Sequence, residues 1–340
     1  MSRWVHNSSS PSLQGERGPS PSQEEPSAEE KKNFSITSEG EGGSVKIPLW
    51  IKALPFFLSA VFFISAVFAI LAPLPLLALR FRKREKLFVP AIICNVAIVF
   101  FSAGVSTLIL FFVFSVVPVF VISEALKHRK SLEKTVIMAL VAMMITGGIA
   151  FVIYSMNSGS SPVAEIKQQV SAAVDYIENS VSGHQAALSG LEYEEWKNRL
   201  ILEFPSALLI LSLLLVTINT VMLIRLNPDG LRDKLGLAPQ FLQSWRAPTF
   251  LVWPAIATGA LLIFGSGLVA DISLNLFKVI MSVYALQGLS ILTFFFNAWN
   301  VRGMFRVFGF LAAVFLTMPL LLSLGFFDLW FDFRSKLRQS

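Results

Sequence analysis

Residues 271–300 decide the fold class of this chain, and they read DISLNLFKVIMSVYALQGLSILTFFFNAWN. The stretch is largely apolar and exceeds the ~20 residues that a helix needs to cross a bilayer. At about 100° per residue, Asp271, Asn275 and Lys278 fall on one narrow face of that helix. Charges at bilayer depth are costly, so we expect this face to lie against protein or a wet cavity.

The composition of the whole chain indicates that lipid is its solvent. Of its 340 residues, 54% are hydrophobic and 15% are charged, and the mean hydropathy is +0.65. In a soluble domain, about a quarter of the residues are charged. Several further apolar runs approach spanning length, so we expect an all-α, polytopic transmembrane helical bundle. We count about eight spans, or nine if the first segment crosses twice.

Polar segments divide the chain outside these apolar runs. Residues 1–46 are rich in Ser, Pro, Gly and Glu, which predicts a disordered tail, and we expect no cleaved signal peptide there. The transmembrane domain is predicted over 47–334, followed by a short tail at 335–340. Basic clusters at 80–86 and 127–130 favour the cytoplasmic side for both, so we expect two short helices that meet near Gly104 between them.

The longest polar interruption of the predicted bundle is residues 156–200. Apolar residues recur there at spacings of three and four between Val163 and Val181, which predicts an amphipathic helix. The insert is more acidic than basic, which favours the extracytoplasmic side. Such a helix either packs on the membrane surface or covers the bundle as a lid.

Small residues four apart indicate close helix contacts at two places. Ser65 and Ala69 form one such pair, and Ala142, Thr146 and Ala150 form a longer stripe. Helices in membranes pack closely through residues of this size. The stripe either packs inside this protein or provides a docking face for a partner subunit.

Six polar residues within apolar runs are candidates for contact with a small-molecule substrate. They are Asp271, Asn275, Lys278, Gln287, Asn219 and Asn95. Three of these residues also have a structural interpretation. Lys278 is close enough to the helix start to extend towards the interface or to pair with Asp271, and Asn95 is suited to a hydrogen bond between helices.

The sequence offers little for catalysis, metal binding or nucleic-acid recognition. Cys94 is the sole cysteine, the three histidines lie in a tail and two loops, and no span contains a histidine. We therefore expect no metal site, no cofactor and no enzyme activity. No phosphate-binding Walker motif is present, so an ATP-driven step requires another chain. The basic residues are short topology signals, and we expect no binding of nucleic acid.

The order of several motifs resembles the YybS-like family of bacterial membrane proteins, whose function is unknown. They include a Pro-Leu-Pro break before the first basic cluster, Trp245-Arg246 with Pro248, the pair Gln287-Gly288, and the ending GFFDLWFDFR at 325–334. The resemblance covers about residues 50–334. That family is similar in fold to the substrate-binding subunits of energy-coupling-factor vitamin transporters. The resemblance therefore implies a multi-pass protein of the bacterial cytoplasmic membrane that binds a small molecule.

Two functions follow from these observations. The first is a transporter-like membrane subunit that binds a small molecule and works with other membrane subunits or an ATPase module. The alternative is a non-transporting scaffold of the cell envelope that positions partner proteins. In both cases the lipid bilayer surrounds the chain.

Overall fold

The computed structural model of the protein describes residues 54–82, 85–158, 162–181, 190–226, 230–238 and 240–338. Spatial contacts group Leu49–Ser340 into one compact unit, and the helices described below belong to it. The predicted tail at 1–46 lies outside the described residues. Within them, helices dominate and no strand occurs, as the all-α prediction requires.

The described residues form the following α-helices in chain order. They are α1 (Leu58–Ile64), α2 (Pro73–Arg80), α3 (Phe88–Phe111), α4 (Val117–Lys127), α5 (Leu132–Ser158), α6 (Pro162–Val181), α7 (Gly190–Leu226), α8 (Leu231–Lys234), α9 (Val252–Phe264), α10 (Leu268–Ala298), α11 (Met304–Phe315), α12 (Met318–Phe331) and α13 (Phe333–Arg338). One turn of π-helix, Phe112–Val116, joins α3 to α4. Helix α6 lies within the predicted insert, with Val174 buried and Tyr176 exposed.

Four helical stretches among the described residues are long and apolar enough to cross a membrane. They are Phe88–Lys127, Leu132–Asn157, Glu194–Leu226 and Leu268–Ala298. A fifth candidate joins α11 and α12, which meet at an angle of 91°. Helix α9 has 13 residues, roughly 20 Å, which is short for a bilayer. The expected number of about eight spans is therefore larger than these helices provide.

The first membrane segment is broken into short helices instead of one continuous span. Helix α1 ends at Ile64, Ala66 has a left-handed φ of 55°, and a 3₁₀ turn at Ala69–Leu71 leads into α2. The prediction that Ser65 and Ala69 share a helical face is therefore wrong. The left-handed residue between them takes them off a common helix axis.

Gly104 is the point at which the longest apolar stretch folds back, as the two basic clusters predicted. Its φ of 78° is outside the helical region, although helical hydrogen bonding continues on both sides. The rings of Phe88 and Phe120 lie 5.5 Å apart, and both ends of the stretch contribute to one apolar cluster. In a straight helix those two residues would be roughly 48 Å apart. The stretch is therefore two helices that meet at Gly104.

Helices α10 and α12 are in direct backbone contact at two glycines. A Cβ atom added to Gly325 would lie 1.9 Å from the carbonyl oxygen of Tyr284, and one added to Gly288 would lie 2.2 Å from that of Leu321. Neither position accommodates a side chain without moving a helix. This crossing places Gln287 of α10 next to the end of α12.

The small-residue stripe of α5 faces the interior of the protein. Ala142, Thr146 and Ala150 are half-buried, on the side of the helix that holds the buried Ala139 and Met143. The adjoining Gly147 packs against Val113 of the π-helical turn. Of the two interpretations, internal packing describes these contacts, and the opposite side of α5 is the exposed one.

Candidate functional site

A half-buried ion pair joins two of the candidate membrane spans, α7 and α10. Lys278 Nζ lies 2.7 Å from Glu203 Oε2, and the exposed fractions of the two side chains are 34% and 26%. The other carboxylate oxygen of Glu203 lies 3.4 Å from Arg199 Nε, one turn earlier on α7. A single carboxylate is thus shared by two cations, one of which is well exposed.

Asn275, one turn before Lys278, is held against the proline-containing turn of α7. Its Oδ1 accepts a hydrogen bond from the Ser206 N–H at 3.1 Å, and its Nδ2 donates to the Leu202 carbonyl at 3.0 Å. Leu202 and Ser206 are four positions apart in the sequence, so in a regular helix these two backbone groups would hydrogen-bond to each other. Pro205 lies between them and removes a backbone donor of its own. The Asn275 amide therefore supplements the helical ladder of α7 where it is weakest.

The face predicted from residues 271–300 is thus placed against α7, but its charge pairing differs from the expectation. The cation of Lys278 meets Glu203, and the alternative in which it pairs with Asp271 is wrong. Asp271 is half-buried, and its backbone carbonyl accepts a hydrogen bond from Asn275 Nδ2 at 3.0 Å. Lys278 pairs with Glu203 because α7 packs along α10 and places the Glu203 carboxylate opposite the lysine.

The polar insert is tied to the same end of α7. Lys197 Nζ lies 3.1 Å from Asp175 Oδ1 of α6, and Lys197 precedes Glu203 by less than two turns. Its side chain is 17% exposed, and that of Asp175 is 49% exposed. This contact holds α6 close to the end of α7 that carries Arg199 and Glu203.

A second polar cluster surrounds Gln287, deeper along α10. Gln287 Oε1 accepts from the Ala247 N–H at 3.0 Å, and its Nε2 donates to Asp328 Oδ2 at 3.0 Å. The same Asp328 oxygen lies 3.2 Å from Arg334 Nη2, and both charged side chains are almost fully buried. Gln287 is therefore committed to a structural network and is separate from the Glu203–Lys278 pair.

The network holds the connection between α8 and α9 in place. Arg334 Nη1 donates to the carbonyls of Gln243 and Trp245, and Ser290 Oγ donates to the same Trp245 carbonyl. The Trp245 indole donates to Glu133 of α5 at 3.0 Å. Burial lowers the pKa of the Arg334 guanidinium from its ordinary value, and the neighbouring Asp328 carboxylate opposes that shift. These contacts fasten one irregular segment to α5, α10 and α13.

Asn95 and Asn219 are placed at the broken first segment, away from the ion pair. Asn95 Oδ1 accepts from the Ala60 N–H at 2.7 Å, and Asn219 Nδ2 donates to the Ile70 carbonyl at 2.6 Å. Ser59 Oγ donates to the Ala72 carbonyl at 2.5 Å. Backbone groups freed by a helix break at membrane depth need partners of this kind. Both asparagines thus supply partners to backbone groups at the break, while the buried Oδ1 of Asn219 has no hydrogen-bond partner among the described residues.

Three charged residues of these clusters were missed as site residues by the sequence analysis. Glu203 was not among the candidate residues, and Asp328 and Arg334 were quoted only within the terminal motif at 325–334. The proximity of Glu203 to Pro205 was a usable signal, because a charge next to a helix interruption is typical of sites in membrane transporters. Across the described ranges, no three His, Cys, Asp or Glu side chains are grouped to hold a metal ion.

Comparison with known proteins identifies a family and nothing closer. A family model described as "Predicted membrane protein (DUF2232)" matches residues 51–329. No curated protein matches this chain, and neither does any solved structure.

Proposed function

The chain belongs to the DUF2232 family of predicted membrane proteins, and from this premise we propose that it is a membrane subunit that binds a small polar molecule. The proposed binding site is the space around Glu203 and Lys278, between α7 and α10. Its charge is supplied by Arg199, Glu203 and Lys278. The chain itself carries out no catalytic step in this proposal.

The half-buried Glu203–Lys278 pair carries the proposal. Two apolar helices long enough to cross a membrane each present a charge that remains about a third or a quarter exposed. The Asp328–Arg334 pair of the same chain, by contrast, is almost fully buried and leaves no room for a ligand between its charges. Ionisable groups within spans are rare and mark substrate or ion pathways.

The backbone around the pair supports the same function. Binding sites in transporters use interrupted helices, where groups normally engaged in the helix face a ligand. Pro205 provides such an interruption, and Asn275 bonds the backbone on both sides of it. In this proposal the insert helix α6, held by Lys197, covers the site from the extracytoplasmic side.

From the resemblance of the sequence to the YybS-like family, we further propose that the bilayer is the bacterial cytoplasmic membrane. Because the sequence contains no Walker motif, ATP-driven transport would require a separate ATPase module as a partner. The binding subunit then supplies recognition of the substrate, and its partners supply the energy.

Thermal unfolding in mild detergent with added solutes tests the proposal. A panel of amino acids, vitamins and small carboxylates is screened, because a ligand present at a hundred times its Kd stabilises by about 2.7 kcal/mol. We expect at least one class to raise the Tm of the wild type but not that of Lys278→Met. The matched control is Asp332→Asn, which breaks a partly exposed pair with Arg246 elsewhere. A panel without effect, or an equal effect on Lys278→Met, would contradict the proposal.

One observation favours the scaffold function as a second candidate. Only 11% of the apolar window of Leu132–Asn157 is buried within the protein, compared with 39–50% in the other three candidate spans. Its exposed side, which includes Met144, Ile145 and Ile149, needs lipid or another helix as cover. Recovery of cell-envelope proteins after gentle extraction, lost when Ile145 and Ile149 become Ala, would favour this function over the first.

A further inference from the structure

The turn between α10 and α11 combines an aromatic residue and two cations at the end of a candidate span. Trp299 follows the last residue of α10, is 61% exposed, and stacks on Phe295 with ring centroids 5.4 Å apart and planes 24° apart. Amphipathic rings of this kind concentrate where a membrane meets water. The turn therefore has the composition of a membrane–water boundary.

Both arginines of this turn lack an acidic partner within the described residues. Arg302 is exposed, and its guanidinium has neither a hydrogen bond nor an ion pair there. Arg306 Nη1 donates to Asn297 Oδ1 at 2.8 Å, and its guanidinium lies 5.8 Å from the centre of the Phe310 ring. These contacts orient Arg306 but leave its charge uncompensated. Arg199, Arg246 and Arg334, by contrast, each meet a carboxylate.

Helix α11 continues from this turn with an exposed apolar face. Met304, Phe305, Phe308 and Phe315 are between 59% and 81% exposed, and α11 has no fully buried residue. The helix turns away from α12 by 91°, so α12 does not cover this face. Hydrocarbon chains would satisfy it, whereas water would not.

We infer that this turn binds the headgroup of an anionic phospholipid. The phosphate is bound by Arg302 and Arg306, the Trp299 ring lies at headgroup level, and the acyl chains run along the apolar face of α11. The two arginines are four positions apart in the sequence, so their Cα atoms are at most roughly 14 Å apart and both reach one headgroup. Guanidinium groups bind phosphate oxygens in a bidentate manner, which favours a phosphodiester with net charge over a zwitterionic lipid. The inference does not depend on the proposed binding of a small molecule.

Native mass spectrometry of the full chain measures this preference directly. The protein is reconstituted in nanodiscs containing equal parts of phosphatidylglycerol and phosphatidylcholine, then released, and the two retained lipids are counted. We expect the wild type to retain phosphatidylglycerol preferentially. Loss of each cation near an anionic lipid surface is expected to reduce that preference about fivefold, so Arg302→Gln with Arg306→Gln has the larger effect.

Two variants keep the test decisive. Arg302→Gln alone removes a side chain without a hydrogen bond, ion pair or ring contact within the described residues, so we expect this variant to fold even if the double variant does not. The matched control is Arg225→Gln, which removes an exposed arginine in the last turn of α7. Equal retention of both lipids by the wild type would overturn the inference. So would an equal loss of preference in Arg225→Gln and Arg302→Gln.

Discussion

Lys278 shows how a residue's partner depends on packing that its own helix does not encode. Its spacing from Asp271 along α10 is apparent from the sequence, whereas its contact with Glu203 requires that α7 lies alongside. The face carrying Asp271, Asn275 and Lys278 was predictable because helical geometry is local. The identity of the opposing charge was not, because two spans far apart in sequence supply it.

A double-mutant cycle tests this pairing. We expect Lys278→Met and Glu203→Gln each to lower the free energy of unfolding by roughly 1–2 kcal/mol, because each leaves a charge that is only partly screened by water. The double variant is expected to lose less than the sum. Unfolding in a mild detergent titrated with SDS measures all four proteins. Additive losses would contradict the pairing, and Asp271→Asn is expected to have little effect.

Asp328 is the residue whose replacement we expect to be most damaging. Its side chain is fully buried and bonds both Arg334 and Gln287. Asp328→Asn leaves the Arg334 cation buried without its counter-ion, which is expected to cost roughly 3–5 kcal/mol. The same unfolding assay compares it with Asp332→Asn, whose partly exposed pair is worth less than about 1 kcal/mol. Similar losses in the two variants would show that the buried network is not formed.

At the scale of elements, the close contact between α10 and α12 leaves no space for a side chain at Gly325. A methyl group at Gly325 would overlap the Tyr284 carbonyl at 1.9 Å, whereas one at Gly148 meets nothing within 4 Å. We expect Gly325→Ala to lower stability by roughly 3 kcal/mol or more, because backbone atoms must separate. Gly148→Ala is expected to be neutral or to stabilise α5 slightly. Circular dichroism during heating compares the two, and equal Tm values would contradict the crossing.

The breaks in the helices were predictable to different degrees. The fold-back at Gly104 followed from two basic clusters that had to lie on one side. The Pro-Leu-Pro motif marked a break near the start of α2, but the hydrogen bonds that Asn95 accepts and Asn219 donates there come from helices distant in the sequence. The bend between α11 and α12 was not predicted, although Pro319 in the first turn of α12 is a residue type that ends or bends helices.

At the scale of the whole molecule, the fold-back fixes the sidedness of two loops. Both ends of the Phe88–Lys127 stretch should lie on one side of the membrane, because the rings of Phe88 and Phe120 are in contact. Single cysteines at Lys86 and Arg129, in a Cys94→Ser background, are expected to react with an impermeant maleimide from the same side of sealed vesicles. Labelling from opposite sides would show that the stretch crosses as one helix.

The central claim, that this membrane protein holds a small polar molecule between α7 and α10, is tested most directly by native mass spectrometry. The full chain is extracted gently from its own membrane, as the wild type and as Glu203→Gln with Lys278→Met. We predict a small molecule bound to the wild type and absent from the double variant, with equal lipid retention in both. A wild type that carries lipid alone, or a small molecule retained equally by both proteins, would contradict the claim.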